Sequence, residues 1–436
     1  MLSLLLHAQG VDSLLWHQGQ VVTRAGFTHA ARQLAARLPQ AEYAINLSSG
    51  RLAFMLGFAA AVLRQQVTLL PPNQTVAALE TLKQQYPRHQ VLDDSLLTGL
   101  DWNSNDHTPL VVASPDNIVA ILFTSGSTGV PQPQAKTWRT LAGTGQLDSQ
   151  RLAQLSGAQL SGLNTATNAT LNIVATVPTQ HMFGLQTTLL LPFVSNCAIY
   201  DGKPFFPADI RTALESLPAP RALVTTPLHL QACITSGIHL PALQFILSAT
   251  AVLRTELAEQ AEATWHAPVL EFYGSTEAGA IGTRRTTAGD AWQLLPQSQL
   301  ESLAEGARYI ASHLPEPLIL GDQVELISAT EFRLLGRASD QLKIAGKRAS
   351  LSELTHALLR IPGVQDGAVF LPPDATRTAA LVVAPQLTPA SILDQLAQHI
   401  DAVFLPRPLL MMQRLPRNEV GKLTQAALLA ALNTHS

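Results

Sequence analysis

Short apolar runs alternate with helical patterns along most of the chain. Near the start of the sequence, the pattern predicts a helix that is capped by Thr28 and ends at Leu38, a strand over 41–47 and a buried helix over 51–64. Alternation of this kind is typical of a layered α/β domain with a largely parallel sheet. Further strand-like runs lie at 171–177, 197–200, 222–225, 245–247 and 269–273.

The pattern changes in the last third of the chain. Residues 281–335 are short strand-like runs separated by Gly, Pro and Gln, which predict an antiparallel or barrel-like piece. We therefore expect an α/β fold in two domains. A large layered α/β domain with a small β-barrel-like piece would span 1–336, and a smaller α+β domain would span 337–436.

The predicted C-terminal domain has clear helix signals. Ser350 and Glu353 fit a capping box, so we expect a helix that ends at Arg360. Two strand-like runs follow, and Thr388-Pro389 then begins another helix with one apolar face. The two strand-like runs are 367–371 and 379–383.

Composition and charge narrow the class of protein. Hydrophobic residues make up 47% of the 436 residues and charged residues 14%, which indicates a folded protein with a large interior. The 28 basic and 31 acidic residues give no basic field for binding nucleic acid. Cys197 and Cys233 are too few for a disulfide framework and lack metal-ligand spacing. These features predict a cytoplasmic protein.

No segment of the sequence predicts insertion into a membrane. The longest apolar stretch, 52–63, would be about 18 Å long as a helix, whereas a bilayer core needs about 30 Å. The first residues lack the basic region of a signal peptide.

A loop of hydroxyl and glycine residues follows the strand-like run 118–123. Main-chain N–H groups of such a loop can converge, and its hydroxyls add donors for phosphate oxygens. No Gly-Lys-Ser/Thr follows, so the loop is not a Walker motif, and a plain Ser/Gly surface loop is the alternative. The loop consists of Thr124, Ser125, Gly126, Ser127, Thr128 and Gly129.

Three further segments carry possible chemistry. The strand-like run that ends at Tyr273 is followed by a Gly-Ser-Thr turn and Glu277, a carboxylate suited to Mg²⁺ beside a polyphosphate. Asp322, after another strand, can hold ribose hydroxyls, with Arg337 as a second clamp. Lys422 follows a glycine in a short turn. Taken singly, these segments fit an exposed turn, a solvated loop and a surface lysine equally well.

The order and spacing of these segments resemble the adenylate-forming superfamily. Its members are acyl- and aryl-CoA synthetases, nonribosomal-peptide adenylation domains and luciferases. The resemblance covers nearly the whole chain and includes the stretches 178–184 and 248–253. The short N-terminal portion and the stretch 69–73 are most similar to stand-alone ligases of aryl-polyene-type pathways.

The resemblance implies an enzyme that joins a carboxylate to the α-phosphate of ATP, releases pyrophosphate and passes the acyl group to a thiol. Mg²⁺ would be bound by Glu277, and the C-terminal domain would be a mobile lid. Catalysis is assigned to Lys422, Thr276 and Glu277. ATP binding is assigned to Thr124, Ser125, Gly126, Ser127, Thr128, Gly129, Ala249, Thr250, Tyr273, Gly274, Ser275, Asp322 and Arg337. The acid pocket is assigned to His181, Phe183, Gly184, Ser248 and Gly279, and the thiolation and hinge segment to Ser339, Lys343 and Gly346.

Several positions depart from the superfamily pattern. Gln132 stands where a lysine usually follows the phosphate loop, and Lys136 lies four residues further on. The hinge position, usually Asp or Lys, is Ser339. Other departures are Ala249 and Thr250 in place of glycines in the adenine-side loop, and Gln425 in place of an arginine.

The sequence also gives predictions about the carboxylic acid substrate and about the thiol that accepts the acyl group. No acidic residue lies between Asp148 and Asp201, so a buried substrate ammonium would lack a partner. We therefore expect an apolar or aromatic carboxylic acid rather than an α-amino acid. Fourteen residues follow Lys422, so we expect the thiol in trans. The similarity to stand-alone ligases of aryl-polyene-type pathways favours an acyl carrier protein as the thiol acceptor, with free CoA as the alternative.

Other classes fit the sequence less well. A serine hydrolase is disfavoured because the Ser/Gly-rich loops lack Gly-x-Ser-x-Gly, and a dehydrogenase because no Gly-x-Gly-x-x-Gly follows a strand. Gln132 and Ser339 prompt a third possibility, a degenerate nucleotide-binding scaffold. Against it stand Thr276, Glu277, Asp322, Arg337 and Lys422, all of which are present.

Overall fold

The computed structural model describes two compact units. The first comprises residues 1–298 and 310–316, and the second comprises residues 299–309 and 317–436. The predicted domain limit at residue 336 falls inside the second unit by this division. The described residues are 3–5, 12–71, 73–104, 108–125, 131–157, 169–304, 306–337, 340–344, 347–373, 375–417 and 423–435.

The first unit is built from strands and helices that alternate along the chain. Its strands are β1 (Ser13–His17), β2 (Gln20–Thr23), β3 (Tyr43–Asn46), β4 (Val67–Leu70), β5 (His89–Leu92), β6 (Ile118–Ser125), β7 (Pro131–Thr137), β8 (Leu171–Ala175), β9 (Cys197–Tyr200), β10 (Arg221–Thr225), β11 (Phe245–Ser248), β12 (Val269–Ser275), β13 (Gly279–Arg285) and β14 (Trp292–Leu294). Its helices are α1 (Arg24–Arg37), α2 (Arg51–Leu63), α3 (Val76–Gln85), α4 (Trp138–Ser156), α5 (Met182–Leu185), α6 (Leu191–Val194), α7 (Pro207–Glu215), α8 (Pro227–Thr235) and α9 (Thr255–Trp265), with a π-helical stretch at Gln186–Leu190 and 3₁₀ turns at Asp94–Leu97 and Thr286–Ala288.

Two sheets form the layers of the first unit. One runs in the order β14-β13-β12-β11-β10-β8-β9-β1-β2 and the other in the order β5-β3-β4-β6-β7. Strands β8 to β12 pair in parallel, as do β3 to β6, so the predicted largely parallel sheet is confirmed. The two sheets and the helices around them enclose apolar cores.

Helix α1 begins earlier than the sequence predicts. Thr23, and not Thr28, is its N-cap, and the Thr23 hydroxyl accepts a hydrogen bond from the Gly26 N–H at 2.9 Å. Arg24 is buried at the start of the helix and donates to the carbonyls of Pro192 and Ser195, both at 2.8 Å. A charged residue in the first turn argues against a buried helix start in the sequence. Only the tertiary contacts show that Arg24 is buried.

The second sheet ends in a hairpin that the sequence did not predict. Strand β6 continues two residues beyond the expected end and pairs antiparallel with β7. Strand β7 contains Pro131 and Pro133, which donate no ladder hydrogen bonds, and it lies at the edge of the sheet, where proline is tolerated. The stretch that resembles a phosphate loop connects these two strands.

The strands and helices after β14 follow the expected α+β pattern. The Ser350–Glu353 capping box is present, with the Glu353 N–H 3.0 Å from the Ser350 hydroxyl, and the helix ends at Leu359. The antiparallel character of the 281–335 region is also confirmed in its pairs of strands. These elements are β15 (Ser298–Ser302), β16 (Ala307–Ala311), β17 (Leu318–Leu320), β18 (Asp322–Leu326), β19 (Glu331–Arg337), β20 (Gln341–Ile344), β21 (Lys347–Ser350), α10 (Leu351–Leu359), β22 (Asp366–Phe370), β23 (Ala379–Val383), α11 (Pro389–Leu396), a 3₁₀ turn at Ala402–Phe404, β24 (Leu409–Met411) and α12 (Gln425–His435).

Both cysteines are buried as free thiols in the first unit. Burial raises the pKa of Cys197 to about 12 and that of Cys233 to about 11, so neither forms a thiolate at neutral pH. Within the part of the chain that is described, no helix has both the length and the apolar character needed to span a bilayer.

Candidate functional site

The stretch 248–253 and the turn with Glu277 lie at the carboxyl ends of neighbouring parallel strands. Strands β10, β11 and β12 are consecutive in the sheet, and the register pairs Ser248 with Thr225 on one side and with Glu271 on the other. Open α/β sheets bind ligands at this edge, outside the carboxyl ends of their strands. The turn that follows β12 carries Thr276 and Glu277.

The β12–β13 hairpin requires glycine at two places, one on each side of its turn. A Cβ on Gly274 would lie 2.1 Å from the carbonyl oxygen of Gly279, so no side chain fits there. Gly279 has a φ of +77°, a left-handed conformation that side chains disfavour. The Ser275 hydroxyl accepts a hydrogen bond from the Ala278 N–H at 3.2 Å and closes the turn. The sequence Tyr273-Gly-Ser-Thr-Glu277 therefore has a local structural reason as well as a possible chemical one.

A buried lysine joins this turn to the hairpin of the other sheet. Lys136, on β7, is 5% exposed, and its ammonium donates a hydrogen bond to the main-chain carbonyl of Glu277. Burial lowers the pKa of Lys136 to about 8, and the nearby charge of Glu277 opposes this shift. Gln132, which stands at the usual lysine position, is exposed and lies opposite Thr124 in the hairpin register. The contact brings the loop-bearing hairpin close to the turn that carries Glu277.

A histidine also lies against this turn. The Nε2 of His313 is 3.4 Å from the carbonyl oxygen of Ala278, and burial lowers the pKa of this imidazole. A Cβ on Gly143 of α4 would lie 2.4 Å from the His313 Cβ, so the helix and the histidine are in close contact. Lys136 and His313 thus support two successive carbonyls of one turn.

An unsatisfied hydroxyl lies at the last residue of β11, and a strained residue lies in the loop that follows. Ser248 is fully buried, and its Oγ has no hydrogen-bond partner among the described residues. Buried hydroxyls normally find a partner, so this atom fits a position where a ligand supplies one. Thr250 has a φ of +79°, which is costly for a β-branched residue. The glycines usual at 249 and 250 in the resembling superfamily would relieve that strain.

The segment 178–184 packs against the β12–β13 hairpin. A Cβ on Gly184 would lie 1.8 Å from the carbonyl oxygen of Pro178, so this position also requires glycine. Phe183 contacts Phe272 of β12 edge to face, with ring centroids 6.2 Å apart. His181 is half-buried and immediately precedes α5. The predicted acid-pocket residues Phe183, Gly184 and Gly279 therefore lie on elements that touch one another.

Arg51 fixes the strand end that leads into this segment. Its wholly buried guanidinium donates to the carbonyls of Ala175 at 2.6 Å and Val177 at 3.2 Å, and to the Thr179 hydroxyl at 3.0 Å. Burial lowers the pKa of Arg51 to about 10, which leaves it charged at neutral pH. This cation determines the course of the chain toward His181.

A buried acid was missed in the sequence analysis. Asp148 on α4 is fully buried, and its Oδ2 accepts a hydrogen bond from Gln186 Nε2 at 2.9 Å. Burial raises the pKa of Asp148 to about 8, so the carboxyl group is mainly neutral at pH 7. A signal was present, because Asp148 is four residues from Thr144 and from Leu152, on the side of α4 that is otherwise buried.

The remaining predicted residues fall in the second unit or outside the description. Asp322 and Arg337 are direct register partners in the antiparallel pair β18–β19, and Lys343 lies on β20 opposite Arg348. Thr124 and Ser125 are the last residues of β6. Outside the described residues lie Gly126, Ser127, Thr128, Gly129, Ser339, Gly346 and Lys422.

The donor set around Glu277 suits magnesium held partly by phosphate. Across the described ranges, no group of three or more His, Cys, Asp or Glu side chains could hold a metal ion by itself. Mg²⁺ is commonly bound by one or two carboxylates together with substrate phosphates and water. The half-buried Glu277, at the end of a glycine-containing turn, fits the carboxylate part of such a site.

A family model and several known proteins match this chain in sequence. A family model described as AMP-binding enzyme matches residues 21–300. A 4-coumarate–CoA ligase of Rhodobacter capsulatus is 28% identical over 333 residues, which are 72% of this chain and 77% of that protein. A sulfoacetate–CoA ligase of Cupriavidus necator is 25% identical over 384 residues, which are 77% of this chain and 72% of that protein.

A solved structure shows the same fold. O-succinylbenzoate coenzyme A synthetase of Bacillus subtilis, in complex with ATP and magnesium ion, matches with a TM-score of 0.76 at 17% sequence identity. The match covers 95% of this chain and 96% of that chain. The predicted α/β fold, with a large N-terminal sheet domain and a C-terminal domain, is thereby confirmed.

Replacement of Asp148 by Asn should change how stability depends on pH. Because the folded-state pKa of Asp148 is raised from 3.8 to about 8, its contribution is complete below pH 4 and is lost as pH rises toward 8. Over that window, the free energy of unfolding should fall by about 1.4 kcal/mol per pH unit for this one proton. Asp148→Asn should remove that slope, so that its stability relative to the parent rises from pH 5 to pH 8 in thermal unfolding.

Asp116→Asn is the matched control for this pH experiment. Asp116 is exposed, and a hydrogen bond from Arg139 lowers its pKa, so it is ionised throughout this window. The dependence of its stability on pH should be parallel to that of the parent protein. A profile for Asp148→Asn that is also parallel to the parent would show that Asp148 is ionised in the folded protein.

Proposed function

Because the chain belongs to the AMP-binding enzyme family, we propose that it activates an apolar or aromatic carboxylic acid as the acyl adenylate and then passes the acyl group to a thiol. The resemblance to adenylate-forming enzymes is confirmed by this membership. Enzymes of the family use ATP with Mg²⁺, as predicted. The relatives named above are CoA ligases, which are acid–thiol ligases, so the predicted class of enzyme is confirmed as well.

The proposed reaction has two steps. In the first, a carboxylate oxygen bonds to the α-phosphorus of ATP while the bond to pyrophosphate breaks. In the second, the thiol sulfur bonds to the acyl carbon, AMP leaves and the thiol proton is released. Both reactants of the first step are anions, so positioned cations and N–H donors have to offset their repulsion. Mg²⁺ would neutralise phosphate charge beside Glu277.

One contact carries the proposal. The hydrogen bond from Lys136 to the carbonyl of Glu277 supports a site in which the phosphate-loop hairpin and the turn with Thr276 act on one ligand. Thr276 would hold the α-phosphate, and Asp322 with Arg337 would hold the ribose, as the resemblance implies. Lys422 would bridge the carboxylate and phosphate oxygens in the first step.

Apolar side chains support the proposed class of acid. Met182, Phe183 and Phe272 are all at most 9% exposed. Phe272 belongs to β12, and Met182 and Phe183 pack against the β12–β13 hairpin. His181 would border this pocket at its polar side.

Substitution of Lys136 should weaken the first step without unfolding the protein. Lys136→Met removes the donor to the Glu277 carbonyl, so kcat/KM in ATP–pyrophosphate exchange should fall by about 10- to 100-fold, less than the loss of a direct oxyanion donor. Lys136→Arg should restore part of it, because it returns a cation and an N–H donor. Lys83→Met, at a half-buried lysine of α3 that pairs with Glu80, is the control and should leave exchange unchanged. Equal activity of Lys136→Met and the parent would exclude this role.

A panel of acids tests the activity itself. Purified protein with ATP, Mg²⁺ and benzoate-like or fatty acids should show acid-dependent pyrophosphate exchange, and α-amino acids should be poorer substrates. Lys422→Ala should lose at least about a hundredfold in adenylate formation and still bind ATP, because this lysine acts on the transition state. A scaffold protein would bind ATP and show no exchange with any acid, and preference for an amino acid would contradict the proposed class.

The thiol acceptor has two candidates. The narrower similarity of the sequence favours the phosphopantetheine of an acyl carrier protein, whereas the names of the relatives favour free CoA. Incubation of the enzyme, its acid and ATP with each acceptor, followed by mass spectrometry, distinguishes them. We expect acylation of a cognate carrier protein, and acylation of CoA alone would reverse this assignment.

The C-terminal part would act as a lid in this proposal. By the resemblance, it exchanges the segment of Lys422 for the segment of Ser339, Lys343 and Gly346 between the two steps, so that one site performs both reactions. The need for ATP is consistent with the predicted cytoplasmic location.

A further inference from the structure

A buried polar pair lies beside the proposed acid pocket. Asp148 and Thr144 are one turn apart on α4, and Gln186 is the first residue of the π-helical stretch that follows α5. The Asp148 carboxyl group is fully buried, and Gln186 is 3% exposed. Such π-helical turns frequently occur at functional sites.

The hydrogen bonding of this pair is incomplete. The Asp148 Oδ2 accepts from Gln186 Nε2 at 2.9 Å, whereas Asp148 Oδ1 is buried without a hydrogen-bond partner among the described residues. An unsatisfied buried oxygen of this kind is destabilising, because it has lost its hydrogen bonds to water and gained none in the fold. An unsatisfied atom of this kind is more readily tolerated where a bound ligand forms a hydrogen bond with it.

Gly279 links the pair to the pocket. A Cβ built on Gly279 would lie 2.9 Å from the Thr144 methyl, 3.3 Å from Gln186 Nε2 and 3.3 Å from the Met182 methyl. The Gly279 α-carbon is therefore bordered by one amide and two apolar groups. In the proposed function Gly279 lines the acid pocket, which would place the Gln186 amide and its partner Asp148 at the wall of that pocket.

We propose that Asp148 and Gln186 form a polar end of the acid pocket and select a carboxylic acid that carries a hydroxyl group remote from its carboxylate. This inference rests on the proposed function and names the substrate class of the same site. A hydroxyl group can donate to a carboxylate oxygen or accept from a protonated one, so it satisfies Asp148 in either state. An acid without the hydroxyl would leave the pair unsatisfied, and pockets built around a hydrogen bond reject such analogues strongly.

Matched acids test the inference by ATP–pyrophosphate exchange. The three hydroxybenzoates are compared with benzoate, and an ω-hydroxy fatty acid with its parent acid. The kcat/KM of the parent enzyme should be at least tenfold higher for one hydroxylated acid than for its analogue. Asp148→Leu and Gln186→Leu should each bring that ratio close to one. Gln66→Leu is the control. Gln66 is a buried glutamine whose amide donates a hydrogen bond to the Pro39 carbonyl, and its replacement should leave the ratio unchanged.

Two kinds of failure can be told apart. Exchange with a ratio near one for every pair in the parent enzyme would overturn this inference and leave the proposed function standing. A ratio that survives in both Leu variants would also overturn it, since the pair would then be purely structural. Absence of exchange with all acids would overturn the proposed function itself. If Asp148→Leu does not fold, Gln186→Leu and Gln186→Met carry the same test, with thermal unfolding as the check on folding.

Discussion

A buried ammonium group on the edge of one sheet holds the turn at the end of a strand in another. Lys136 lies in an interior where an unpaired charge is costly, and the Glu277 carbonyl gives it a partner. The same bond fixes the distance between two hairpins that are 141 residues apart in sequence. The Lys136 bond and the His313 contact together hold the turn in place, at two successive carbonyls.

Other buried cations in the first unit work in the same manner. Arg24 and Arg51 donate to main-chain carbonyls near the ends of α6 and β8, where helix and sheet leave acceptors unpaired. Each arginine provides several donors in a fixed geometry, which suits a group of carbonyls on neighbouring segments. From the sequence alone, both arginines would be expected at the surface. In the structure they are buried, and they fix the path of irregular segments near the candidate site.

The sequence was informative where local patterns decide the structure. The parallel strands β8 to β12 are continuous apolar runs, and the Ser350 capping box is a four-residue signal, so both were predictable. Strand β7 was not, because its prolines and glutamines argue against a strand unless its edge position is known. Asp148 was missed as a site residue for a related reason. Its partner Gln186 is 38 residues away, and only the packing of α4 against the segment after α5 joins them.

The buried state of Cys197 and Cys233 has a practical consequence. Since both native thiols keep their protons at neutral pH and lie inside the first unit, maleimide reagents will find little to modify in the folded chain. One cysteine placed on each unit would then be the only fast-reacting pair, without removal of a native residue. Fluorophores attached at these two positions would test, by energy transfer, whether the separation of the units changes during turnover.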